Sequence, residues 1–229
     1  MKFEAVIFDL FGTLIDDFVS SVGDMHQEMS AALNVPYEQF MQIWRQTAEM
    51  RIIGAFESVE ANLEYVCRAM NVHPGAQQIE KTVEIRMKYM RRALEPRPDA
   101  IKTPGQLKSQ GYKTGLISNC SIEIPILWQE TAFAEAIDTP IFSSRERLRK
   151  PDVRIYHVAC ERLGVVPDSC VYIGDGEDHE LAAAAKVGLH PILIQTGSQR
   201  NTSKSHEEAR NWQGTTIGSL PEVLQLLEG

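Results

Sequence analysis

Cysteine is scarce: Cys67, Cys120, Cys160 and Cys170 are the only four in 229 residues, and none forms a CxxC pair or other metal-ligand spacing. That argues against a thiolate metal site and a disulfide-stapled scaffold, and leaves small buried hydrophobes in a reducing compartment as their expected role. Long apolar runs are missing too, since none approaches the ~20 residues of a membrane span. No basic segment leads into an uninterrupted apolar stretch and a cleavage site near the N-terminus, so no secretory signal and a cytoplasmic location are expected. Positive charge is in deficit, with 23 Lys and Arg against 31 Asp and Glu, a net charge of −8 and a pI near 5.3. Nucleic acid and anionic membranes would be repelled over most of such a surface. A small anionic substrate needs only a local positive site and stays open. Internal repeats and low-complexity tracts are also absent. What remains, with 43% hydrophobic residues, suffices for one large domain or one domain carrying an insertion.

"AVIF" (5–8) has the composition of a fully buried strand, and "YKTGLIS" (112–118), "CVYIG" (170–174) and "PILIQ" (191–195) repeat it, with a weaker "TPIF" at 139–142. Helical patterns separate them at 122–134, 152–163 and 178–187, and a last helix follows Pro221. Strand and helix in alternation predict an α/β fold, a parallel sheet covered on both faces. The interval after the first strand breaks this rhythm. Three stripes recur there at helical spacing: Val19, Val22, Met25, Met29 and Leu33; Val59, Leu63, Val66 and Met70; and Ile79, Val83, Met87, Met90 and Leu94. A further helix is expected around 36–50, opened by Pro36. Residues 16–92 therefore read as an all-helical cap inserted into a core of 1–15 and 93–229, with the proline-rich "EPRPDAIKTPG" (95–105) as the re-entry. The polar 197–214 segment reads as a surface loop.

In an open parallel sheet, ligands bind beyond the carboxyl ends of the strands. The first strand here ends in Asp9, the second in Ser118-Asn119 and the fourth in Gly174-Asp175, and Lys150 precedes the helix at 152–163. A strand-end Asp or Ser-Asn taken alone is only a turn or a helix cap. All four at one sheet edge make a candidate site.

"DLFGTL", "LISN", "KPD" and "YIGDGEDHELAAAAKVG" resemble, in order, the four motifs of the haloacid dehalogenase superfamily of hydrolases. The resemblance spans nearly the whole chain and implies a Rossmann-like core with the helical cap between the first two motifs. It implies Asp9 as a nucleophile forming a covalent aspartyl intermediate. Thr13, Ser118 and Asn119 would contact the transferring group, and Lys150 would neutralise charge on it and on Asp9. A divalent cation, best Mg²⁺, would be shared by Asp9, the Phe11 carbonyl, Asp175 and Glu180. Many phosphatases of the superfamily carry Asp where this chain has Glu180, so Asp178 is the alternative support for the metal. His179 reads as a solvent-facing residue at a helix start.

Phe11 departs further. Superfamily phosphatases usually place a second Asp there, which protonates the leaving alkoxide and activates the hydrolytic water; such assistance is worth ~10²–10⁴ in rate. L-2-haloacid dehalogenases carry an aromatic residue at that position, and "QIWRQ" (42–46) resembles a segment of their cap in which Arg45 would bind a substrate carboxylate or departing halide. Those enzymes work without metal, however, whereas the acids around Asp175 ask for a cation. A Mg²⁺-dependent phosphatase acting on a small phosphorylated metabolite, as monomer or homodimer, is the leading expectation. A dehalogenase, or a catalytically weak member that binds a phosphorylated ligand or a protein partner, are the alternatives. Arg51 and "ESVEANL" (57–63) are further candidates for substrate contact.

Overall fold

The structure, a computed structural model, describes residues 2–16, 19–196 and 207–228. Strand β1 (Ala5–Phe8) is buried throughout and pairs in parallel with β2 (Lys113–Ser118) on one side and β4 (Cys170–Gly174) on the other. With β3 (Thr139–Phe142), β5 (His190–Ile194) and β6 (Thr216–Ile217), the order is β3-β2-β1-β4-β5-β6. All the pairings are parallel, as strand–helix alternation predicts. The period of two divides β1 between two cores: Val6 and Phe8 enter one hydrophobic cluster, Ala5 and Ile7 the other. β6 escapes sequence reading because a two-residue edge strand leaves no apolar run.

Helices α1 (Val19–Leu33), α2 (Tyr37–Gln46), α3 (Ala48–Ile52), α4 (Val59–Ala69) and α5 (Ala76–Ala93) follow β1. They bury Met25, Met29 and Leu33, then Val59, Leu63, Val66 and Met70, then Ile79, Met90 and Leu94, as the stripes predict. Val83 and Met87 are only partly buried against the cluster, and the side chains of Val19 and Val22 lie outside the described residues. The single helix expected at 36–50 is two. Thr47 Oγ1 donates to the Ile43 and Trp44 carbonyls at 3.2 and 3.0 Å, and Arg51 Nη1 donates to the Trp44 carbonyl at 2.9 Å, so side chains satisfy the end of α2.

Helix α6 (Lys102–Ser109) begins inside the proline-rich re-entry, with Pro104 tolerated in its first turn. The pattern at 122–134 resolves into α7 (Glu123–Leu127), a 3₁₀ turn at Trp128–Glu130 and α8 (Phe133–Ala136). The bend lets Trp128 stack on Phe133 at 5.7 Å and meet the edge of Phe142 at 5.2 Å, contacts a straight helix would not collect. α9 (Ser143–Glu146) and α10 (Val153–Leu163) follow, the latter capped by Asp152, which accepts from the Arg154 amide at 3.0 Å. Next come α11 (Glu180–Val187), α12 (Glu207–Asn211) and α13 (Glu222–Glu228). α12 falls within the expected 197–214 loop, whose stretch 197–206 lies outside the described residues.

Helices α1, α2, α4 and α5 share one continuous hydrophobic cluster with the sheet. α3 reaches the carboxyl edge, where Ser143 Oγ donates to the Ile52 carbonyl at 2.7 Å. At Gly54 (φ +67°) a Cβ would lie 1.8 Å from the Ser144 carbonyl oxygen, so only glycine permits this approach. Gly54→Ala is therefore expected to cost about 2 kcal/mol or more through left-handed strain and backbone collision. Gly105 of α6, where a Cβ would meet nothing within 4 Å, should gain ~0.5–1 kcal/mol on substitution by Ala. Denaturant unfolding of the two variants checks both signs, and equal effects would mean that the Gly54 contact does not constrain the fold.

Candidate active site

The strand order reverses direction at β1, and the carboxyl ends of β1 and β4 lie side by side there. Asp9 follows β1 and Asp175 follows β4, so two carboxylates meet at the switch point. After Asp9 the chain turns tightly: the Leu10 carbonyl accepts from the amides of Thr13, Leu14 and Ile15 at 3.3, 2.9 and 3.0 Å. Gly12 takes the left-handed conformation this needs, at φ 78°. Thr13 is thereby buried beneath Asp9's loop, and Ser118 is buried at the end of β2.

Lys150 reaches into this edge from the segment before α10. Its Nζ donates to Asp9 Oδ1, to Glu180 Oε2 at 2.5 Å and to the Tyr172 hydroxyl at 3.1 Å. Tyr172 in turn donates to Glu180 Oε2 at 2.7 Å, and the Gly176 amide donates to Glu180 Oε1 at 3.1 Å. The Tyr156 hydroxyl holds the Glu180 carbonyl at 2.9 Å. Asn119 fixes the lysine's backbone reciprocally: its Nδ2 donates to the Lys150 carbonyl at 3.1 Å, and its Oδ1 accepts from the Lys150 amide at 2.8 Å. Asn119, which also lines the cleft, therefore positions Lys150, and its Nδ2 donates as well to Asp178 Oδ2 at 3.3 Å.

Glu180, not Asp178, joins the carboxylates. Asp178 and His179 both adopt left-handed backbone (φ 55° and 59°), which swings the chain so that α11 starts at Glu180 and its side chain turns back to the strand ends. Room for the longer acid comes from Gly174, where a Cβ would lie 2.1 Å from Glu180 Oε1. Asp178 is partly exposed and accepts from Arg149 Nη2 at 2.5 Å, while Arg149 Nη1 pairs with Glu49 of α3. His179 is exposed, as expected. Arg45 is exposed on α2 and is not among the groups lining the small cleft formed by Asp9, Phe11, Asn119, Lys150, Glu177 and Asp178.

One ammonium thus sits among three buried acids. Burial, with Asp175 adding to it and Lys150 opposing, pushes Asp9 up to about 6. Burial likewise pushes Glu180 up to about 8 against Lys150, with Asp9 and Asp175 raising it further. Burial alone would lower Lys150, but Asp9 and Glu180 override it and keep the amine protonated. Oxygens of Asp9, Asp175 and Glu180 all lie within 4.8 Å of one another, a hard-donor set whose uncompensated charge fits a divalent cation such as Mg²⁺. Asp9 Oδ2, Thr13 Oγ1 and Ser118 Oγ are buried without a hydrogen-bond partner.

Residues 3–188 match the family model of haloacid dehalogenase-like hydrolases. The chain belongs to that family. Its relatives include both dehalogenases and phosphatases. (S)-2-haloacid dehalogenase 1 of Pseudomonas sp. (strain CBS-3) is 25% identical over 97% of this chain and 96% of its own. Glyceraldehyde 3-phosphate phosphatase of Pyrococcus furiosus is 23% identical over 99% of this chain and 94% of its own. The solved structure of 2-haloacid dehalogenase from Pseudomonas syringae pv. Tomato DC3000 superposes with a TM-score of 0.72 at 16% identity, covering 99% of this chain and 98% of that one. The fold and the hydrolase class are thereby shared, and α3 of the helical insertion contacts the core at Ser143 and Arg149.

Three residues of this hydrolase site were not singled out by its motifs: Tyr156, Tyr172 and Arg149. A tyrosine two positions before the end of a fully buried strand was the legible signal, since a buried phenol needs a partner. Gly174→Ala is expected to expel the Glu180 carboxylate from its seat and lower stability by about 1–3 kcal/mol. Thermal unfolding checks it, and an unchanged midpoint would mean that Glu180 is free to sit elsewhere.

Proposed function

We propose that this hydrolase is a Mg²⁺-dependent phosphatase acting on a small phosphorylated metabolite, with residues 16–92 as cap and 1–15 and 93–229 as core. The observation that carries the reading is the group of three buried carboxylates around Lys150. Displacing halide, a stable anion, gives such a set of acids no task, whereas a phosphate ester brings charge that a cation between them would neutralise. Asp9, Asp175 and Glu180, with the Phe11 carbonyl, would hold Mg²⁺, which when bound supplies Lewis-acid charge compensation to the phosphoryl oxygens.

The division of labour in Asp9 follows from its partners. Oδ1 is anchored by Lys150, and Oδ2, buried without a partner, is the attacking oxygen. Its bond to phosphorus forms as the bond to the leaving oxygen breaks, giving an aspartyl phosphate that water then hydrolyses to restore the carboxylate. Thr13 Oγ1 and Ser118 Oγ, unpaired among the described residues, donate to the transferring group. Lys150 remains protonated and stabilises negative charge throughout. Phe11, half-buried at the cleft, can neither protonate the leaving alkoxide nor activate water, so turnover depends on the leaving group's own stability.

The expected result is p-nitrophenyl phosphate hydrolysis that requires Mg²⁺, stops in EDTA and disappears in Asp9→Asn. Phe11 sharpens this: the rate ratio of p-nitrophenyl to simple alkyl phosphates should exceed ~10² and shrink in Phe11→Asp. Comparable rates on both esters would show that another group supplies the proton. A second reading, a 2-haloacid dehalogenase, is favoured by the aromatic Phe11 and by the named relatives. Chloride release from L-2-chloropropionate, indifferent to EDTA, would establish it in place of the first.

A further inference from the structure

All four cysteines are buried, but two of them are not isolated. Cys160, in the last turn of α10, and Cys170, the first residue of β4, bring their Sγ atoms within 3.9 Å of each other. Both belong to the second hydrophobic cluster, with Ile7, Ala159 and Leu163. The pair is one of two rungs between α10 and β4. Tyr156 stands four residues before Cys160 on the helix, and Tyr172 stands two residues after Cys170 on the strand, spacings that keep each pair on one face. The tyrosine rings meet edge-on at 5.4 Å. Their hydroxyls contact Glu180 and, from Tyr172, Lys150. The thiols therefore lie one rung away from the hydrolytic site, which makes no use of them.

The surroundings give the two sulfurs different tasks. Cys160 keeps what exposure there is, 3% against 0% for Cys170. The hydrogen bond from Cys170 lowers the Cys160 pKa, outweighing burial, while the same contact and burial push Cys170 up. The Val166 carbonyl, 3.3 Å from Cys170 Sγ, is a further acceptor that favours the protonated form of Cys170. Cys160 is thus the thiol that ionises first and meets a small solute first. The chain between them is held in place. The Val165 amide donates to the Cys160 carbonyl at 3.1 Å, Lys113 Nζ to the Leu163 carbonyl at 2.7 Å, and the Glu4 amide to the Ser169 carbonyl at 2.8 Å. Against a disulfide's S–S bond of about 2.0 Å, the sulfurs have about 2 Å left to close, and no large rearrangement has to bring them together.

We propose that Cys160 and Cys170 form an oxidation site, at which a peroxide converts the two thiols into a disulfide between α10 and β4. The Cys160 sulfur attacks one peroxide oxygen, the O–O bond breaks, and Cys160 becomes a sulfenic acid as the first water leaves. The Cys170 sulfur then attacks that of Cys160, forming the S–S bond and expelling a second water. The two thiols give up two electrons, and their two protons leave in the two waters to which hydrogen peroxide is reduced. The site stands independently of the phosphatase reading. To test it, the folded chain is treated with hydrogen peroxide, alkylated and digested with trypsin. Cleavage after Arg162 places the two cysteines in separate peptides, 155–162 and 163–186. Mass spectrometry should find these peptides linked, and reduction should part them. Cys120 is the internal control, since it is 3% exposed like Cys160 but lacks a thiol neighbour, and burial pushes it up to about 12. Its oxidation should be at least ~10-fold slower. In Cys170→Ser, dimedone should trap a sulfenic acid on Cys160, whereas in Cys160→Ser, Cys170 should stay reduced. No linked peptides, linkage only in denaturant, or equal oxidation of Cys120 and Cys160 would overturn the proposal. The wild-type map decides this even where a serine variant fails to fold.

Discussion

The contact on which the site depends is the one between the Lys150 ammonium and two buried carboxylates, Asp9 and Glu180. Charges this far from water are tolerated only when paired and hydrogen-bonded, and every neighbouring feature serves that requirement. Asn119 fixes the lysine's backbone, Tyr172 gives Glu180 a second donor, and Gly176 supplies a third through its amide. Even so, one cation among three acids leaves negative charge over, and burial answers by raising the affinity of Asp9 and Glu180 for protons. A divalent cation would remove the same excess without protonating the nucleophile. The fold thus prepares a place for positive charge rather than a neutral pocket.

The sheet was legible because parallel strands buried on both faces read as short apolar runs, and the polar residue that ends each run is conspicuous. Asp9, Ser118 and Asp175 were found in that way, and Lys150 through its place before α10. Local chemistry that depends on backbone conformation was not legible. Whether Glu180 or Asp178 turns inward depends on two consecutive left-handed residues, Asp178 and His179, neither of which is glycine. The bend at 122–134 was hidden for a related reason: its apolar spacing suits a helix, but packing Trp128 between Phe133 and Phe142 outweighs helical continuity. Arg45, in a segment similar to a cap motif, is exposed on α2.

The insertion and the core are joined by polar as well as apolar contacts. Arg149, next in sequence to Lys150, binds Glu49 of α3 and Asp178 of the loop after β4, and Asp178 also accepts from Asn119. A chain of charge-assisted bonds therefore runs from the helical layer to the residue that fixes the lysine. The Arg149 pairs are partly exposed, so each is worth little alone, and their value lies in geometry.

Two polar clusters meet this seam, and their charges are opposite. Around Lys150 the acids outnumber the cation; around Trp44, Arg51 and Arg86 outnumber Glu123. Buried ion pairs are often no more stabilising than apolar side chains of the same volume, and among the described residues Asn62 makes no hydrogen bond that would compensate its burial. Each cluster thus keeps buried polar groups at some cost to stability. Phe11, half-buried at the cleft, sets an apolar wall beside these charges and carries no group that could hold a proton.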